Sequence, residues 1–238
     1  MSNLVVSITP LNGAVQGEES FQLAFSDGQV KVIKSWDYTI IYSIPYLYEK
    51  LFCDLLGYKG FQELGDLLIK HAPRRFKGLQ VLDVACGNGL MGKFLKETSP
   101  LKIESIVGVD VLPEAITALK RDYPSIYDSA FVISKEIDFQ SLRNYSFNCL
   151  SICGGANQVK LKEIKKYINC LSNGAYVVFN LRIEDKENTR KRILDWMDNE
   201  LSFCESKIYN HRKLGNGSIV KHEAFLYEKT RKHTNSTV

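Results

Sequence analysis

The chain has 238 residues, of which 45% are hydrophobic and 24% are charged, and its formal net charge at pH 7 is +4. This length and composition predict one large soluble domain with a substantial core rather than two independent domains. Because the lysines and arginines are mostly spread along the chain, the weak positive charge indicates a solvated surface and no nucleic-acid partner.

The sequence also bears on the compartment. No window approaches the roughly 18 uncharged apolar residues of a membrane-spanning helix, and the opening MSNLVVSITPLNG has no basic segment before a long apolar core. We therefore expect a cytoplasmic protein with no membrane partner. The six cysteines are scattered without a C-x-x-C pair, which indicates neither a disulfide framework nor a zinc site.

The first third of the chain precedes the main alternating pattern. Residues 1–35 are predicted to be an N-terminal extension with a hairpin around Ser26-Asp27-Gly28, since apolar residues alternate on both sides of that turn. Residues 36–78 are dense in aromatic residues and are predicted to form a helical lid segment. At the other end, the polar residues 231–238 are expected to be a disordered tail.

Residues 79–230 alternate short apolar runs with longer helical patterns, which predicts an α/β domain with a mostly parallel sheet and helices on both faces. The predicted strands are 79–85, 102–110, 129–134, 147–155 and 175–183. The segment 158–171 is predicted to be a helix that Asn173-Gly174 ends. Residues 203–229 predict two antiparallel strands joined at Gly215-Asn216-Gly217.

A glycine-rich stretch follows the first strand of this domain. VLDVACGNGLMG, residues 81–92, contains G-x-G-x-x-G, which suits any ligand that needs a glycine turn at a strand end, a dinucleotide included. Asp83 lies four residues before Gly87, and its charge would repel a pyrophosphate and attract an ammonium or sulfonium group. We therefore expect a cationic ligand.

Four segments in order resemble the motifs of class I S-adenosylmethionine-dependent methyltransferases. VLDVACGNG resembles the first motif and IVGVD, which ends at Asp110, resembles the second. FNCLSICGGANQV is similar to the fourth-strand motif, and LSNGAYVVFNLR is similar to the loop and strand that follow it. The resemblance covers residues 79–182 and implies a Rossmann-like methyltransferase fold, with seven strands and a C-terminal antiparallel hairpin. The aromatic segment is similar to that of small-molecule members of this family.

The resemblance implies S-adenosyl-L-methionine as the cofactor, with Asp110 accepting hydrogen bonds from both ribose hydroxyls. The residues it implies for cofactor binding are Tyr48, Asp83, Ala85, Cys86, Gly87, Asn88, Gly89, Asp110, Val111, Cys153 and Gly154. The sequence departs from the family pattern at Asn148, where an acid usually stands. The family usually has an acidic residue near the adenine. The alignment leaves three positions open for that contact, namely Ser134, Glu136 and Asp138.

The acceptor class follows from motifs that this sequence lacks. The acids of metal-dependent catechol-type enzymes, the [N/D]-P-P-[Y/F] run of base-methylating enzymes and the paired glutamates of protein-arginine enzymes are all absent. We therefore expect metal-independent transfer to an amine or hydroxyl of a small metabolite. The expected acceptor residues are Tyr42, Asn157, Arg182 and His222, and no catalytic base or oligomeric state is assigned.

Other interpretations stay open at this level. An NAD(P)-dependent oxidoreductase would also use a glycine turn, and a non-catalytic protein that binds S-adenosylmethionine would keep the same motifs. Tyrosines 38, 42, 46 and 48 suit core packing as well as a substrate lid. His211 and His222 suit surface or packing positions, and Cys86 suits packing.

Overall fold

The computed structural model describes residues 4–12, 15–133, 139–184 and 188–230. Three open positions for the adenine contact, Ser134, Glu136 and Asp138, lie outside these residues, as does the expected disordered tail. Two sheets are present, one of three strands and one of seven. Among the described residues, no helix is both long and apolar enough to cross a membrane.

The seven-stranded sheet has the spatial order β6-β5-β4-β7-β8-β10-β9. Neighbouring strands among the first five are parallel, whereas β10 runs antiparallel to both β8 and β9. This arrangement confirms the predicted α/β fold class and the antiparallel C-terminal hairpin. The strands are β4 (Leu79–Val84), β5 (Ile103–Asp110), β6 (Ser129–Val132), β7 (Phe147–Ile152), β8 (Leu171–Arg182), β9 (Ser202–Lys213) and β10 (Ile219–Glu228).

Helices cover both faces of this sheet, so its central strands are apolar on both sides. In β4, Val81 belongs to one buried cluster while Leu82 and Val84 belong to the cluster on the opposite face. The α-helices are α1 (Tyr38–Ser43), α2 (Gly60–His71), α3 (Leu90–Lys93), α4 (Pro113–Asp122), α5 (Phe139–Arg143), α6 (Leu161–Asn169) and α7 (Thr189–Glu200). Two π-helical segments, Glu49–Leu55 and Phe94–Thr98, and two 3₁₀ turns, Ala72–Arg74 and Ala156–Gln158, complete them.

The N-terminal sheet contains one strand more than the sequence predicts. The expected hairpin is β2 (Ser20–Phe25) paired with β3 (Val30–Lys34), and β1 (Val5–Asn12) pairs antiparallel with β2. The sequence analysis missed β1 because two register shifts and Pro10 interrupt its alternation, and an edge strand tolerates both. A buried ion pair between Glu19 and Arg212 ties this sheet to the end of β9.

The region before β8 differs from the prediction of one helix over 158–171. The helix α6 spans only Leu161–Asn169, and β8 already begins at Leu171. Asn173-Gly174 therefore lies within the strand. Gly174 has φ +81°, a backbone conformation that residues with a side chain rarely adopt, so the chain needs glycine here for its backbone within the strand and not for a helix end.

Candidate cofactor and acceptor site

The turn after β4 has the backbone that its glycines predict. Ala85, Gly87 and Gly89 all have positive φ, at 55°, 56° and 98°. The Cys86 amide donates to the Val109 carbonyl of β5 at 3.1 Å, which holds the turn against the neighbouring strand. A Cβ on Gly87 would lie 2.7 Å from Tyr42 Oη, so only glycine lets the loop and this tyrosine approach so closely.

Asp110 lies at the carboxyl end of β5, beside this turn. Its carboxylate accepts hydrogen bonds from the Gly87 amide at 2.9 Å and from the Leu112 amide at 3.0 Å. Burial raises the pKa of Asp110, although these amides and that of Val111 favour the charged form. The structure therefore brings together the glycine turn and the carboxylate of the second predicted motif.

Asp83 lies beneath the turn and is 1% exposed. Tyr127 Oη donates to one carboxylate oxygen at 2.6 Å and Ser151 Oγ donates to the other. Burial raises the pKa of Asp83 to about 6, although both hydrogen bonds oppose the shift. Asp83 lies behind the cavity wall and does not line it, and its attraction to a cationic ligand stays a prediction.

The sequence analysis missed Tyr127, which fills the space behind the glycine turn. A Cβ on Gly92 would lie 2.5 Å from its ring, and a Cβ on Gly89 or Gly108 would lie 2.9 Å from it. The third glycine of G-x-G-x-x-G and the glycine of β5 therefore make room for one tyrosine side chain. Gly108 inside a strand was the available signal, because such a glycine often marks a close approach.

A cavity of about 820 Å³ opens at the carboxyl ends of β4, β5 and β7. Open α/β sheets bind ligands at this edge. Nine of the eleven residues predicted for cofactor binding line it, while Asp83 and Gly89 do not. The nine are Tyr48, Ala85, Cys86, Gly87, Asn88, Asp110, Val111, Cys153 and Gly154.

An aromatic wall formed by Tyr38, Tyr42, Tyr48 and Tyr58 closes one side of this cavity. Ring centroids of consecutive members of the stack Tyr38, Tyr42 and Tyr48 are 5.8 and 5.5 Å apart. Arg121 of α4 donates to the Tyr42 carbonyl oxygen at 3.1 Å, so the wall is fixed to the domain that carries the cofactor motifs. Burial raises the pKa of Tyr42 and of Tyr48, so both phenols are neutral.

Tyr58 and Cys153 meet at the end of β7, with Tyr58 Oη 3.0 Å from Cys153 Sγ. Burial raises the pKa of the Cys153 thiol to about 12, so the sulfur is protonated and is not a thiolate nucleophile at neutral pH. The sequence analysis missed Tyr58. Only the aromatic density of residues 36–78 indicated it.

The expected acceptor residues divide into two groups. Tyr42 lines the large cavity, whereas Asn157, Arg182 and His222 do not. Asn157 Oδ1 accepts a hydrogen bond from the Arg182 amide at 3.0 Å, which caps the end of β8. His222 is buried and stacks on His211 with 3.5 Å between ring centroids.

His222 is a neutral imidazole in this environment. Burial, together with the nearby guanidinium groups of Arg182 and Arg212, lowers its pKa to about 3. Neither ring nitrogen has a hydrogen-bond partner within the described residues. The histidine stacks on His211, whose ring contacts Tyr58, and it lies outside the cavity wall.

Comparison with solved structures identifies the class of fold. An RNA methyltransferase assigned provisionally, from Pyrococcus horikoshii, matches with a TM-score of 0.54 and 12% identity, covering 82% of this chain and 98% of that one. A ribosomal protein L11 methylase from Lactobacillus delbrueckii subsp. bulgaricus has a TM-score of 0.52 and 17% identity, covering 72% and 79%. An rRNA methylase from Streptococcus thermophilus has a TM-score of 0.51 and 14% identity, covering 73% and 98%.

This fold is the Rossmann-like methyltransferase fold, and these three structures share it with the chain at low sequence identity. No family model and no curated protein matches the sequence. The activity must therefore be argued from the site itself.

Proposed function

We propose that the protein is an S-adenosyl-L-methionine-dependent methyltransferase that acts on a small molecule. The observation that carries this proposal is the large cavity, in which the glycine turn and Asp110 face the stacked tyrosines across one space. This cavity lies within the range of about 300 to 1,000 Å³ that is common for small-molecule sites.

The residues present fit this cofactor. Gly87 lets the turn approach a ligand without a Cβ, and the Asp110 carboxylate at the cavity wall suits two ribose hydroxyls. The tyrosine rings in the cavity wall suit a sulfonium cation, because aromatic rings attract positive charge. When bound, the cofactor supplies an activated methyl group, so the protein mainly aligns the acceptor and excludes water.

The chain's own residues provide that alignment. The tyrosine wall closes one side of the cavity and would shield a bound acceptor from water on that side. Tyr58 Oη and Cys153 Sγ form a polar pair in the wall of the same cavity, where a neutral amine or hydroxyl of an acceptor would find a hydrogen-bond partner. We propose transfer to such a group without a metal, in a cytoplasmic protein.

Calorimetric titration with S-adenosylhomocysteine and with NADH tests the cofactor. We expect binding of S-adenosylhomocysteine alone, because the Asp110 carboxylate beside the glycine turn disfavours a pyrophosphate at that turn. Binding of NADH in place of S-adenosylhomocysteine would establish the oxidoreductase alternative. Tritiated-methyl transfer to a fractionated metabolite pool then separates an enzyme from a protein that only binds the cofactor.

The acceptors named for the similar structures, RNA and a ribosomal protein, define the main alternative. The same tritium assay with total RNA and with ribosomes as acceptors addresses it. We expect label in the small-molecule fraction, because four tyrosines wall the cavity and its volume suits a small acceptor. Label in RNA or ribosomal protein, with none in metabolites, would contradict the proposed acceptor class.

A further inference from the structure

A second cavity, of about 350 Å³, lies beside the cofactor cavity and carries only cationic charged side chains in its described wall. Segment 157–162 and the first turn of α7 form this wall. Its charged residues are Lys160, Lys162 and Arg192, and Thr189 adds a hydroxyl. The two cavities share four wall residues, namely Gln158, Val159, Lys160 and Lys162.

The cations that line the second cavity have no acidic partner among the described residues, whereas three neighbouring cations of α6 and α7 do. The nitrogen to oxygen distances are 3.2, 2.6 and 2.5 Å for Lys166 with Glu163, Lys191 with Asp195 and Arg190 with Glu223. Within the part of the chain that the structure describes, the side chains of Lys160, Lys162 and Arg192 make no ion pair. Three exposed cations with no acidic partner among the described residues therefore line one small space.

The backbone adds to this positive field. Thr189 begins a helix of twelve residues, and the first turn of that helix contains no acidic side chain. The amino end of a helix carries partial positive charge and unpaired amide donors. The nearby cations repel one another, and an anion in the cavity would relieve this repulsion and accept hydrogen bonds.

We propose that this second cavity binds an anionic group of the acceptor, a phosphate or a carboxylate. The shared segment places that group next to the loop of Cys153, Gly154 and Gly155, which lines the cofactor cavity. A small acceptor would thus be held by its anion on one side while its nucleophile enters the cofactor cavity. This inference rests on the proposed methyltransferase function.

Calorimetric titration with pyrophosphate and with malonate tests the cavity without knowledge of the acceptor. The test variant is K162Q/R192Q, and K165Q/K191Q is its control, because each removes one charge from α6 and one from α7. We expect the unmodified protein to bind one of the two anions at millimolar concentration. We expect about tenfold weaker binding by the test variant and less than about twofold weakening by the control.

Several outcomes would overturn this proposal. The proposal is overturned if the unmodified protein binds neither anion, or if both double variants weaken binding equally. It is also overturned if an anion binds only after Asp185 and Glu187, which lie outside the described residues, are replaced by neutral residues. The protein can also be titrated with a short single-stranded RNA. If it binds this RNA more tightly than either small anion, and K162Q/R192Q loses that binding, the proposal of a small acceptor is overturned. Titration of the unmodified protein with S-adenosylhomocysteine reports separately on the proposed function, so the two failures are distinguishable.

Discussion

Replacement of Asp83 by asparagine is expected to stabilise the protein at neutral and alkaline pH. The carboxylate is buried, and its pKa of about 6 lies above the ordinary value of 3.8. The native state therefore binds a proton more readily than the unfolded state. Stability gained by protonation is present at low pH and lost as pH rises through about 6.

The difference between the two pKa values corresponds to about 3 kcal/mol of unfolding free energy above pH 6. An asparagine amide can accept from one of the hydroxyls of Tyr127 and Ser151 and donate to the other, so the neutral side chain keeps both contacts. We therefore expect Asp83→Asn to raise the free energy of unfolding by about 1 to 3 kcal/mol at pH 8. The gain should disappear near pH 4.

Urea denaturation at pH 8, 6 and 4 measures this difference, and comparison of variant with wild type cancels the titration of the other groups. Asp54→Asn, at an exposed position, is the control and should change stability by less than about 0.5 kcal/mol. The reasoning is refuted if Asp83→Asn is less stable than wild type at pH 8, or if the difference between them does not depend on pH.

Four further outcomes follow from the site. Asp110→Ala should weaken S-adenosylhomocysteine binding by about 1 to 3 kcal/mol in calorimetry, since ribose hydroxyls would lose a charged acceptor, and an unchanged affinity would remove this assignment. Tyr48→Ala should lower cofactor affinity and turnover together, whereas a loss confined to global stability would make the tyrosine a packing residue. Because burial keeps His222 neutral down to its pKa of about 3, the contribution of His222 to wild-type stability should fall as pH drops below about 6.5, and His222→Phe should be less sensitive to acid than wild type in denaturant titrations; an equal pH dependence would contradict this. Methyl transfer should survive EDTA, and activity that vanished in chelator and returned with magnesium would show that the enzyme needs a metal.

Local sequence patterns were enough to predict the α/β class, most strand positions and the glycine turn after β4. Continuous apolar runs such as β7 are local patterns, and burial on both faces of a parallel sheet requires them. The glycines of the turn after β4 are local as well, because a positive φ is a property of one residue. Asp110 could be placed beside Gly87 because parallel neighbouring strands end at the same edge.

The set of side chains that line the cavity depends on long-range packing, which local patterns do not contain. Asp83 meets Tyr127 and Ser151 across sequence separations of 44 and 68 residues, and Tyr58 meets Cys153 across 95. No local periodicity encodes such contacts, because they depend on how helices and loops pack above the sheet edge. Burial then shifts the pKa of each group. The Asp83 carboxylate, which lies beneath the turn and is held by two hydroxyls, has its pKa raised in this way.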